Sequence, residues 1–125
     1  MSPTPARDHD TVADIQIAAV AAATAKSIPG VTRLQPGVWG LVQQLSRELW
    51  ERITGEPFPD IAGVDAAILD DATATLDITL ATNGHRPATV VVADVQHAVT
   101  TAIAARLAIP VSAVAVHVCE ISLPP

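Results

Sequence analysis

Apolar positions follow a helical spacing over three stretches of the chain and an extended, alternating one between and after them, and this rhythm predicts the elements. Val12, Ile15, Ala19, Ala22 and Ala23 outline a first helix from Thr11 to Ser27. Thr11 with Asp14 resembles a capping box, Lys26 suits the negative end of the helix dipole, and Pro29-Gly30 stops the run. Val31 to Gln35 is a short strand closed by Pro36-Gly37, a pair suited to a type II turn. Val38, Val42, Leu45, Leu49 and Ile53 then mark a second helix from Val38 to Ile53, ended by Gly55 and Pro57. Trp39 and Trp50 lie about three turns apart on nearly one side of it, beside the main stripe.

Two further strands, Val64 to Leu69 and Ala72 to Ala81, flank Asp70-Asp71, a hairpin connection that lacks the favoured glycine. In the second of them Ala72, Ala74, Leu76, Ile78 and Leu80 point one way and Thr73, Thr75, Asp77 and Thr79 the other. Pro87 is placed as the first residue of a third helix, whose stripe of Val92, Val95, Val99, Ala102 and Ile103 runs down to Leu107. The β-branched run Val90-Val91-Val92 favours a strand locally and blurs the start of this helix. Val111 to Ile121 alternates again, with Val114, Val116 and Val118 inward and Ala115, His117 and Cys119 outward.

The order helix, strand, helix, two strands, helix, strand predicts an α+β fold, a two-layer sandwich with helices packed on one face of a small, mostly antiparallel sheet. Residues 1–10, with two prolines and three charges, are expected to be a flexible lead-in, and residues 11–123 a single domain. At 125 residues the chain suffices for one core. Half of its residues are apolar, mostly Ala and Val, so its elements must approach closely.

Charge narrows the choice of partner. A net charge of −6, a single lysine and scattered arginines disfavour binding that neutralises phosphates. The lone Cys119 excludes an internal disulfide, which fits a reducing cytoplasm. No uncharged stretch reaches the roughly 18–20 residues of a membrane span, and no signal-peptide core precedes the first helix.

Candidate chemistry is sparse. His9, His85, His97, His117 and Cys119 are the soft metal ligands available, and His117 and Cys119 share a strand face, but no paired spacing supplies two more ligands, so no metal or cofactor is expected. The same two residues lack a third group to orient them as a nucleophile and base. Asp70-Asp71 is a turn pair whose carboxylates diverge, and Asn83-Gly84-His85-Arg86 lacks the repeated glycines of a phosphate loop.

The helix leading into Ser27-Ile28-Pro29-Gly30-Val31, the strand Leu76-Asp77-Ile78-Thr79-Leu80, and above all Val91 to Ile121 carry a resemblance. That last segment contains Asp94-Val95-Gln96, Val99, the link Leu107-Ala108-Ile109-Pro110-Val111, and Val114 to Val118 with His117. Together, over most of residues 12–122, they resemble the alkaline-shock, envelope-stress-response family of bacterial general stress proteins. The resemblance implies a non-enzymatic cytoplasmic protein that self-associates, held in some members at the inner side of the membrane by an anchored partner. The chain departs from the family pattern between Val38 and Ile61, where the tryptophan-bearing helix replaces a variable polar stretch.

The expected function is therefore protein interaction. Thr73, Thr75, Asp77, Thr79 and His117 form one candidate surface, whose alternative is an ordinary solvated sheet face. Trp39 and Trp50 form another, whose alternative is space-filling over an alanine-rich core. A nucleic-acid module of the K-homology type fits the element order but lacks the Gly-x-x-Gly clamp and a basic surface. A small-molecule enzyme using His117 is the remaining class.

Overall fold

The computed structural model describes residues 8–35 and 40–122. Its elements are α1 (Asp8–Ser27), β1 (Val31–Leu34), α2 (Gly40–Thr54), β2 (Val64–Ile68), β3 (Ala74–Thr82), α3 (Ala88–Leu107) and β4 (Val111–Ile121). The two-layer α+β arrangement holds: α1 and α3 lie side by side against one face of the sheet.

The sheet is organised around β3. β4 runs parallel to it along its whole length on one side, while β1 and β2 both pair antiparallel with it. β1 meets residues 80–82 and β2 meets residues 74–78, so these two short strands share the other side of β3 end to end. Thr79 lies at the joint: its N–H donates to the Gly63 carbonyl and its carbonyl accepts from the Gln35 N–H. Gly63 fits there because it has a φ of +89° and because a Cβ would lie 2.9 Å from the Gln35 backbone and from Leu34 Cβ.

The core is built from small side chains on closely approaching elements, as the composition requires. Ala74, Leu76, Ile78 and Leu80 of β3 share one core cluster with Val91, Val95, Val99 and Ile103 of α3, and all eight are essentially inaccessible. α3 is long and apolar enough by composition to cross a membrane, and here its valine stripe packs on the sheet. α1 touches the sheet, α3 and α2, so it buries more than one stripe. Ile15, Ala18, Ala22 and Ala25 are joined by Ile17 and Ala21, whereas Ala23 is exposed.

Several boundaries move. Helix α1 already includes Asp8 to Asp10, so residues 8–10 are not a lead-in and Thr11 is not a cap. The first helical residue of α3 is Ala88, with Pro87 just outside as the N-cap. The hairpin between β2 and β3 solves the missing glycine by lengthening: the Leu69 carbonyl accepts from the Ala72 N–H, and Ala72 takes φ +65° while the Leu69 N–H donates to the Thr73 carbonyl.

Helix α2 packs on α1 through the side bearing Trp50. Trp50 is only 7 % exposed, and its indole N–H donates to the Pro57 carbonyl at 3.2 Å. Ile53, expected on the buried stripe, is instead exposed, because the helix is rotated to bury the larger indole. Arg47 lies over the Phe58 ring, and Lys26 at the end of α1 bonds Asp60 at 2.8 Å, fastening the loop after α2.

Candidate protein-interaction surface

The helices cover one face of the sheet, and among the described residues the other face is uncovered. Because side chains alternate, the odd-numbered positions of β3 stand on this open face, and the register assigns their neighbours. Thr75 lies between Ala67 and Ala113, Asp77 between Asp65 and Ala115, and Ala81 between Arg33 and Glu120. Thr79 has His117 beside it on β4.

These side chains interact across strands. His117 Nε2 is 3.3 Å from Asp77 Oδ1, diagonally across β3 and β4. Arg33 pairs with Glu120 above Ala81, leaving that alanine 1 % exposed, and also donates to Gln35 Oε1. The Cys119 thiol points to the same Gln35 oxygen at 3.3 Å. Asp65 is partly buried, and this desolvation, reinforced by the Asp77 carboxylate, raises its pKa above the ordinary aspartate value.

Of the sequence-predicted residues, Thr75, Asp77, Thr79 and His117 come together on this face. Thr73 does not: it lies in the hairpin, where its N–H and hydroxyl both donate to Asp71 Oδ1 at 3.1 and 2.6 Å. That pair of bonds also lowers the Asp71 pKa, the side-chain bond most. Trp50 belongs to the core and offers no ring to a partner, since burial and the Pro57 bond already use both its apolar body and its polar tip. Trp39 lies outside the described residues.

Asp65, Ala67, Ala113 and Arg33, which the sequence reading left out of the surface, are placed on it by register, and Gln35 by its hydrogen bonds to Arg33 and Cys119. The alternation of Val64 and Ala66 with Asp65 and Ala67 is the signal that could have found the β2 pair.

The turn before α3 is structural. Arg86 donates to the Pro29 carbonyl at 2.8 Å and pairs with Asp94, and Asn83 Oδ1 accepts from the His85 N–H at 2.9 Å. Asp70 and Asp71 lie in the exposed hairpin turn. Among the described residues, no three His, Cys, Asp or Glu side chains are grouped to hold a metal ion.

Comparison with protein-family models, with curated proteins and with solved structures finds no match to this chain.

Proposed function

We propose that this domain is a non-catalytic protein-interaction module that acts by self-association, or by docking on a membrane-anchored partner at the cytoplasmic side of the envelope, like the envelope-stress proteins it resembles. The observation that carries this reading is the uncovered sheet face. Its central positions, Thr75, Thr79, Ala67, Ala113 and Ala115, are small and uncharged, and it has no lysine. Such side chains cost little to desolvate and little rotamer entropy to immobilise, unlike the Lys and Glu that cover an ordinary surface. Arg33 is matched with Glu120 and the Asp77 carboxylate has the His117 ring nitrogen within 3.3 Å, with Asp65 as the exception.

The test is light scattering after size-exclusion chromatography over a concentration series, for the wild type and for Thr75→Lys. The expected result is a mass that rises with concentration in the wild type and rises less in the variant, with unchanged circular dichroism. A wild type that remains monomeric at every concentration removes the self-association reading.

A further inference from the structure

The sheet has two edges, and they are treated differently. The β1/β2 edge is broken into strands of four and five residues and carries Arg33 and Asp65, devices that discourage pairing with another chain. The β4 edge is an eleven-residue strand with no proline, lysine or arginine and a single carboxylate, Glu120, near its end. Among the described residues β4 pairs only with β3, so its outer side carries backbone groups with no strand to meet.

The hydrogen bonds identify those groups. Thr79 directs both its backbone groups toward β1 and β2, so the even-numbered residues Leu76, Ile78 and Leu80 are the ones that bond β4. In a parallel ladder each of these bridges the residues on either side of its partner, which uses the backbone of Ala115 and His117 and turns that of Val114, Val116 and Val118 outward. The Gln96 side chain, reaching from α3 to the Val114 carbonyl at 2.9 Å, agrees with this direction and leaves that oxygen a second lone pair. The valine side chains on this row are also unfinished: Val114, Val116 and Val118 are half-buried, whereas Leu76, Ile78 and Leu80 beside them are at most 1 % exposed.

We propose that a second copy of this chain pairs with it through β4, antiparallel about a two-fold axis at Val116, so that two sheets join into one. This rests on the self-association reading above and adds to the open face a second contact with its own geometry. Overlap of the strand with itself along its full length places Val116 opposite Val116, Val114 opposite Val118 and Val111 opposite Ile121. Ile121 is the most exposed large apolar residue described, at 51 %. Glu120 falls opposite Ser112, so no two charges of like sign face each other directly. The two-fold keeps the helices of both copies on one side and makes their open faces continuous. Bulges near Ser112 and Cys119 confine the regular ladder to Ala113–Val118, which is where the axis lies.

The pairing makes Ala115 and His117 of opposite copies a non-hydrogen-bonded pair with Cα atoms about 4.5 Å apart, within disulfide range. The experiment uses the full chain in a Cys119→Ser background, with Ala115→Cys in one preparation and His117→Cys in another, each folded by circular dichroism. The two are mixed under oxidised glutathione, alone and together. The mixed disulfide is expected to exceed the half share that random collision gives, and Thr75→Lys, two strands from the axis, is expected to leave it in place. A statistical share, together with an assembly that Thr75→Lys dissolves, overturns the edge pairing and leaves the open-face reading standing. No disulfide in any mixture, with a monomeric wild type, overturns both.

Discussion

Asp65 and Asp77 stand directly opposite each other across β2 and β3 on the uncovered face of the sheet. Like charges so placed destabilise a strand pair by roughly 0.2–1 kcal/mol. His117 approaches Asp77, so the unfavourable share falls on Asp65, whose pKa is raised by burial and then by Asp77. A carboxyl whose folded pKa lies above its unfolded value weakens the fold when ionised, and this penalty fades as the pH falls through the raised value. Asp65→Asn is therefore expected to raise stability at pH 7 by about 0.5 kcal/mol, with the gain gone near pH 3, as urea unfolding at both pH values would show.

Gly63 and Gly55 both have positive φ, and they differ in what a side chain would meet. A Cβ at Gly63 collides with the end of β1, whereas at Gly55, after α2, it meets nothing within 4 Å. Gly55→Ala is expected to cost about 1 kcal/mol from backbone strain, and Gly63→Ala roughly 2–4 kcal/mol. In thermal melts the second corresponds to a fall on the order of 10 °C.

Two alanines carry the opposite strain. Ala72 in the β2–β3 hairpin and Ala108 at the C-terminus of α3 have φ of +65° and +55°, and both are exposed. Ala72→Gly and Ala108→Gly are each expected to stabilise the domain by about 0.5–1 kcal/mol, and the two to add, since they serve separate turns. A double variant no more stable than either single one in urea would contradict this.

Trp50 fills the space between α1 and α2 and the following loop. Trp50→Ala is expected to cost about 3–5 kcal/mol, and Trp50→Phe mainly the indole bond to Pro57, about 1 kcal/mol. If the ring served a partner instead, Trp50→Ala would leave the urea midpoint unchanged while altering assembly.

Thr82 is 1 % exposed, and its hydroxyl has no hydrogen-bond partner among the described residues. Thr82→Val keeps the shape and removes the unpaired group, so its unfolding free energy is expected to be equal to or about 1 kcal/mol above that of the wild type.

The strands and helices were legible because each carries its own period. The alternation marks β4 to its limits, and Leu76, Ile78 and Leu80 against Thr75, Asp77 and Thr79 separate the two faces of β3. Errors came where a boundary depends on something non-local. The cap at Thr11 was displaced because the helix continues toward the N-terminus, and Thr73 was lost from the sheet because the hairpin needed a left-handed residue at Ala72. On α2 the periodic stripe ended on Ile53, but the helix turned to bury Trp50.

What the sequence by itself determined is the element order, the two-layer α+β class and a sheet with one apolar face, since alternation and helical spacing are local properties of the chain. Tertiary structure alone decided that β1 and β2 share one side of β3, that β4 runs parallel on the other, and hence that Asp65 meets Asp77 and that, among the described residues, β4 has a free edge. The physical reason is register: hydrogen bonds between distant strands choose which residues become neighbours, and no local pattern records that choice.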